Sequence, residues 1–264
     1  MKKVAILLLA ILTFSCSDDD EKGTEEDKGQ WAMIFNESVK NDSNPVDKTE
    51  KFMFDGERLI QHIIKQRYFE EEISNEVNLS YSDNQVTVTT DYLTLVYTLN
   101  SEGYASQCVY SLSSQNRIYQ FSYSAEGYLT GIVENIDNTE YSSTSLTYEN
   151  GDITSISSKM NGLENKFIYE PGEESSTYHL PCLGLLEIHP LTFHIEALYA
   201  GLLGKDPRHF TIRSCPAGSN DEKTVYSYGF DKKGNPSRMI CQTTYAGGQA
   251  SYYPYTRNIS VSFE

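Results

Sequence analysis

Long apolar runs are scarce in this chain. The longest, Val4 to Phe14, falls far short of the roughly 20 residues that a membrane-spanning helix needs. Basic residues are also few: 21 Lys and Arg stand against 37 Asp and Glu, a formal net charge of −16. A field of that sign opposes nucleic acid and anionic headgroups, and leaves neutral glycans, other proteins and cations as partners. The signatures of catalysis are missing as well. There is no GxSxG elbow, and neither GxGxxG nor GxxxxGK[ST] occurs. His194-Ile195-Glu196 lacks the second histidine of an HExxH zinc site. His189 and His194, five apart, do not share a helical face. With His62, His179 and His209 they read as surface or capping residues. The acidic runs Asp18 to Asp20 and Glu70 to Glu72 lack the alternating ligands and central Gly of a calcium loop. The cysteines have no paired CxxC spacing for structural zinc. With so many acids, no two can be nominated as a glycosidase pair. The expectation is a non-catalytic protein without cofactor or metal.

What is present begins at the N-terminus. Lys2 and Lys3 precede the apolar stretch, and Leu12 to Cys16 form a cleavage site followed directly by the acidic run Ser17 to Glu21. Residues 1–15 read as a cleaved targeting segment, to be left out of the fold. Cys16 is the expected lipidation site, with two or more acyl chains needed for a stable anchor. Residues 16–29 are then the lipidated cysteine and an acidic tether, too polar to bury surface and self-repelling. Residues 30–264 make a single β-rich domain. The address is an outer-membrane lipid anchor, with the cell surface favoured over the periplasmic face, because the acidic run resembles the export tag of Bacteroides-type surface lipoproteins. Cys108, Cys182, Cys215 and Cys241 suit an oxidising compartment. A Cys182–Cys215 bridge would close a compact excursion and leave Cys108–Cys241 to join distant parts of the sheet, though four cysteines allow three pairings.

Tyrosine is the compositional outlier, at 20 residues against 11 Phe and one Trp. Much of it falls in a weak internal repeat. The clearest copies are Phe121/Tyr123 running to Gly127, Leu146/Tyr148 running to Gly151, and Phe167/Tyr169 running to Gly172. Related versions start at Phe52, Leu79, Leu95 and Tyr226. Alternation puts the rings on one face of a strand. A polar turn with Gly at positive φ follows, as a type I turn with a G1 bulge or a primed turn, and an alternating strand returns. Tandem hairpins without intervening helices imply an antiparallel meander, whose edges must be curled, closed or stacked. The fold expected is a large curved antiparallel meander or open barrel of tandem hairpins. The Tyr-x-Tyr strands look five to eight residues long, short of the 9–11 that an outer-membrane barrel needs, and this argues against membrane insertion.

Two stretches break the pattern. Residues 53–66 begin as a strand and continue as either return strand or short helix. Residues 191–203 have Ile195, Leu198, Tyr199, Leu202 and Leu203 at helical spacing, with Pro190 before and Gly204 as the stop. A helix there lies against the sheet or caps one end of it. The lipoprotein start, the tandem hairpins and this late helix together resemble a Bacteroides-type lipoprotein family of unknown function with a porin-like fold, meaning a curved many-stranded sheet. The resemblance covers roughly residues 50–264 and brings no catalytic residues with it. The function expected is a ligand- or glycan-binding module. Tyr245, Tyr252, Tyr253 and Tyr255 are the candidate aromatics for stacking a neutral sugar, against the alternative that tyrosines simply pack across strands. A structural or accessory subunit of an outer-membrane assembly is the second reading. A carrier of a hydrophobic ligand beneath the helix is a third.

Overall fold

The computed structural model of the protein describes residues 29–40, 46–68, 71–112, 115–175, 185, 188–219, 221–244 and 255–264. Sixteen strands form one sheet: β1 (Gln30–Lys40), β2 (Val46–Asp55), β3 (Arg58–Tyr68), β4 (Glu71–Ser82), β5 (Gln85–Thr89), β6 (Thr94–Leu99), β7 (Ala105–Leu112), β8 (Gln115–Tyr123), β9 (Leu129–Ile136), β10 (Thr139–Glu149), β11 (Asp152–Met160), β12 (Leu163–Ser175), β13 (His209–Pro216), β14 (Lys223–Phe230), β15 (Pro236–Thr244) and β16 (Tyr255–Phe263). Each pairs antiparallel with its neighbours in sequence, and β16 pairs with β1, so the sheet is a closed barrel. Closure removes both edges of the meander. Residues 53–66 resolve as the end of β2, a turn at Gly56 and the return strand β3.

The turns follow one chemical rule. At Asn100, Ser124 and Asp231 the side-chain oxygen accepts the N–H groups two and four residues on. In each turn the third residue on is a glycine, Gly103, Gly127 or Gly234, with φ of 86°, 91° and 84°. These are the expected type I turns with a G1 bulge. Asn150-Gly151 is a two-residue connection with φ of 54° and 90°, the other expected form. Gly172 is not a turn residue: it lies inside β12, which runs 13 residues.

The strands are longer than expected. β1, β3 and β10 each have 11 residues and β4 has 12, because Ser, Thr, Asn and Glu continue each strand beyond its Tyr-x-Tyr core. Strand length therefore does not argue against the membrane; the polar residues on the outer wall do. Inward positions such as Phe52, Phe54, Val86, Val88, Tyr97, Tyr119, Ile259 and Val261 are buried. Outward positions read Asn78, Ser80 and Ser82 on β4, Ser143, Ser145 and Thr147 on β10, and Asn258, Ser260 and Ser262 on β16. A lipid-facing barrel has the opposite pattern, with an apolar band outside and a polar lumen. Among the described residues no helix is long and apolar enough to cross a membrane.

The interior is filled by the connection between β12 and β13. It contributes a 3-10 turn (Leu191–Phe193) and α1 (Ile195–Tyr199), shorter than the helix expected over residues 191–203. The stop is Gly201, not Gly204. Its N–H donates to the Leu198 carbonyl and that of Leu202 to the Ala197 carbonyl, the paired bonds of a Schellman ending. Leu191, Ala197, Leu198, Tyr199, Leu202 and Leu203 are buried. Tyr199 stacks on Phe52 at 3.9 Å between ring centroids, and the Leu202 carbonyl accepts the Ala105 N–H of β7. The segment is a plug inside the barrel, not an element laid against the sheet. Beneath it, among Leu129, Leu146, Leu198 and Leu203, the free space is about 20 Å³. That is room for a water at most; a larger apolar concavity, of about 670 Å³, opens at the proximal end among Trp31, Met33, Phe54 and Phe263.

Tyrosines line this core. Tyr97, Tyr119, Tyr169, Tyr199 and Tyr226 are buried. Tyr81, Tyr123 and Tyr228, near the ends of β4, β8 and β14, donate their hydroxyls to the carbonyls of Leu59, Ala105 and Thr211 near the starts of β3, β7 and β13. An apolar ring with a polar tip lets one side chain fill the core and tie its own hairpin. Cys108 and Cys241 face the core from β7 and β15, eight strands apart in either direction around the barrel. The plug and opposing side chains lie between them, so the Cys108–Cys241 bridge is not formed and Cys108 is a free thiol. Burial pushes that thiol up to about 12, against a hydrogen bond with Tyr97. Cys215 lies half-buried on β13, while Cys182 lies outside the described residues.

Candidate functional site: the distal mouth of the barrel

The two ends of the barrel differ. The proximal end, where β1 starts, is tied by the Gly turns. The distal end carries the connections 40–46, 68–71, 89–94, 112–115, 136–139, 160–163, 216–223 and 244–255. Seven large hydrophobic side chains are exposed among the described residues: Ile73, Tyr92, Tyr141, Met160, Leu163, Phe193 and Ile212. All but Ile212 stand at the distal mouth. Scattered exposed hydrophobics are ordinary, but a rim of them marks a contact surface.

Inside that rim lies a concavity of about 360 Å³ lined by Ser158, Met160, Asn165, Phe167, Ile188, His189 and Tyr226 among others. His189, on the plug, joins it to a polar cluster on the barrel wall. Glu134 of β9 is fully buried, and its Oε2 accepts the Ser142 hydroxyl at 2.6 Å and lies 2.6 Å from His189 Nε2. Arg117 Nη1 approaches Oε1 at 3.3 Å. Burial alone would raise Glu134, but His189, Ser142 and Arg117 outweigh it and hold the carboxyl below its usual value. The Arg117 guanidinium lies over the rings of Tyr110 and Tyr141 at 5.8 and 5.9 Å, and His189 meets Tyr141 and Phe193 edge-on. The His189 carbonyl accepts the hydroxyls of Thr144 and Ser158. The exposed rings are thus seated on a fixed polar base.

This cluster is not built for nucleophilic catalysis. Ser142 donates to the same carboxylate oxygen that faces His189, so no imidazole is positioned to take its proton, as an activated serine requires. His209 puts both its backbone N–H and Nδ1 on Asp152, each at 2.8 Å, clamping β13 to β11 at the proximal end. Among the described residues no group of three or more His, Cys, Asp or Glu could hold a metal ion.

Two of the histidines depart from their reading as surface residues, though His194 does stand at the N-cap position of α1. His62 and His194 are fully buried. His194 Nδ1 lies 2.7 Å from the Tyr97 hydroxyl, and burial pushes the imidazole down to about 3, so it is neutral. Of the candidate aromatics, Tyr255 is the first residue of β16 at the distal mouth, while Tyr245, Tyr252 and Tyr253, like Cys16 and His179, lie outside the described residues. The strands they connect both end at this mouth. Arg117 and Glu134 went unnoticed because they come from separate strands. Their one signal is a charge at an inward position of an alternating pattern.

Residues 52–238 match the model of the family described as a domain of unknown function (DUF4595) with porin-like fold. The chain belongs to this family. No curated protein matches it. Among solved structures it is similar to a porin-like protein from Bacteroides uniformis, with 26% identity and a TM-score of 0.80 over 88% of this chain and 96% of that one. A porin-like protein from Bacteroides vulgatus shares the fold at 12% identity, with a TM-score of 0.51 over 86% of this chain and 96% of that one. Family members are thus porin-like in the arrangement of the sheet, while the wall of this barrel is polar outside and its interior is packed.

Proposed function

We propose that this protein is a non-catalytic binding module of the outer membrane, anchored through lipid on Cys16 and taking a neutral glycan at the distal mouth. One observation carries the reading: a filled barrel gathers six of the seven exposed large hydrophobic side chains among its described residues at a single end. A packed interior has no path for solute, so the useful surface is the mouth. A neutral sugar suits that surface, since its apolar ring face stacks on Tyr141 and Phe193 while its hydroxyls reach His189 and Ser158. The position of the chain start also supports the reading. β1 begins at the proximal end, so a tether over residues 17–29, with a root-mean-square reach of about 20 Å, turns the distal mouth away from the membrane. The acidic run Ser17 to Glu21 favours the cell surface over the periplasmic face.

The test is a panel of neutral oligosaccharides screened against the Cys16→Ala chain, followed by titration of any hit. Tyr141→Ala with Phe193→Ala is expected to weaken binding at least about tenfold, in line with an aromatic anchor, with the thermal unfolding curve unchanged. No hit across the panel, or a hit indifferent to both substitutions, sinks the reading. A second reading rests on the same rim: an accessory subunit that buries these side chains against an envelope protein. Cross-linking on intact cells from position 163, exposed on the same rim, would then capture one discrete partner, and Tyr141→Ala would lose it.

A further inference from the structure

The proximal end holds a second concavity, of about 780 Å³, between the β8–β9 and β10–β11 turns. Its aromatic wall is Tyr128 and Tyr148, stacked at 4.9 Å between centroids. Where the plug leaves the barrel it places two cations over this wall, and the backbone fixes both. The Lys205 N–H donates to the Gly127 carbonyl at 2.9 Å, and the Arg208 N–H to the Gly151 carbonyl at 3.1 Å. Each cation is thereby pinned to one of the two turns. The packing is close: a Cβ on Gly151 would stand 2.7 Å from the Tyr128 hydroxyl oxygen and 2.9 Å from Arg208 Cδ. The arginine stem lies across the glycine, and Gly151 at φ 90° suits both the turn and that approach.

Both cationic side chains are exposed, and neither makes an ion pair within 4 Å among the described residues. Glu126, exposed on the neighbouring turn, is the acid that faces Lys205. In a chain of net charge −16, a groove lined by two cations, with Glu126 as the one acid among its lining residues, is an exception to the field around it. Thr147 and Asn150 add hydroxyl and amide groups to the same groove. Cations for an oxyanion, rings for an apolar sugar face and hydroxyls for ring substituents converge here.

We infer that this groove binds a saccharide bearing an oxyanion, a carboxylate or phosphate carried on a sugar ring. The site is separate from the distal mouth and stands or falls independently of it. Charged hydrogen bonds from Lys205 and Arg208 hold the oxyanion, and the Tyr128–Tyr148 wall holds the ring. An uncharged sugar lacks the first contact and inorganic phosphate lacks the second.

The experiment titrates the Cys16→Ala chain with trigalacturonate, its methyl ester, glucose 6-phosphate and inorganic phosphate. At least one of the two charged sugars should bind saturably, and which one does tells carboxylate from phosphate. The methyl ester and inorganic phosphate should bind at least about tenfold more weakly, and Lys205→Gln with Arg208→Gln should cost at least about tenfold. Both side chains are exposed, so the double variant should keep its unfolding curve. Tyr141→Ala with Phe193→Ala should leave this binding untouched. Absence of saturation by either charged sugar up to about 10 mM, a range that covers weak millimolar sites, would overturn the inference. So would equal affinity in the double variant.

Discussion

His62 has no exposed surface, yet it lies 2.8 Å from Glu196 of the plug and 3.4 Å from Glu50 of β2. Lys48 stands 2.9 Å from the same Glu50. Burial would lower the imidazole, but Glu196 and Glu50 together outweigh it and raise His62 above its ordinary 6.5. Burial would raise Glu50, but hydrogen bonds from His62 and Lys48 take it from 4.5 to about 2. The signs fix the pH dependence. The His62 contribution is complete below 6.5 and is lost as pH rises through its folded value. The Glu50 contribution is complete above 4.5 and is lost as pH falls toward 2. It amounts to at most about 3 kcal/mol, shared with its partners. Unfolding free energy should therefore plateau between these values and fall on both sides. His62→Gln should remove the alkaline limb and cost about 2 kcal/mol near pH 6, because it takes the imidazolium from the half-buried Glu196 and leaves Glu50 with Lys48 alone. Denaturant titrations across pH check this, and an unchanged alkaline limb in the variant would refute it. None of this was legible beforehand. His62 sits in an Ile-rich stretch whose period fits strand or helix, and a register shift between Met53 and Phe54 decides which face it takes.

Among the elements, the turns were legible and the plug only partly so. Asn100, Ser124 and Asp231 specify the same loop through local bonds, so the pattern survives in the sequence without help from the rest of the fold. Strand ends did not, because their outward Ser and Thr look like loop residues until a neighbouring strand pairs with them. Gly172 misled for another reason: spacing counted it as a turn, while it falls inside β12 at an irregularity of the β12–β13 pairing between Pro171 and Ser175. Asp231→Ala deletes hydrogen bonds to the backbone N–H groups of Lys233 and Asn235 and should cost about 1–2 kcal/mol. The helical spacing within residues 191–203 pointed to a buried element but not to its length or place. A segment apolar all round must be enclosed, and here a closed barrel encloses it. Tyr199→Ala removes a ring held between Phe35 and Phe52 and should cost about 3–5 kcal/mol as a large-to-small change in a packed core. Chemical denaturation measures both. A Tyr199 variant within about 1 kcal/mol of the parent would mean that the plug does not support the barrel.

For the whole molecule, the decisive property is which side of the wall is polar. A sixteen-stranded barrel of these strand lengths could match a membrane in size, but its outward apolar residues, such as Ile63, Val96, Val109, Ile118 and Val133, are interrupted by Lys51, Glu76, Ser143 and Ser157, so no continuous apolar band is left for lipid. Moving one Arg or Lys on a lipid-facing barrel surface to the midplane costs about 2–4 kcal/mol, and this wall carries Lys51, Lys65, Lys159 and Lys166 at outward positions. On the proposed reading attachment depends on lipid at Cys16, and the two routes to the membrane give opposite results. In detergent phase separation the lipidated protein should follow the detergent, while the Cys16→Ala chain should remain in the aqueous phase and unfold there as a single folded domain. Added to planar bilayers, that variant should produce no conductance steps, since Leu191, Ala197, Leu198 and Tyr199 fill the barrel between its mouths. Retention of the variant in the detergent phase, or discrete channels in the bilayer, would show that lipid meets the outer wall and that the plug leaves a path.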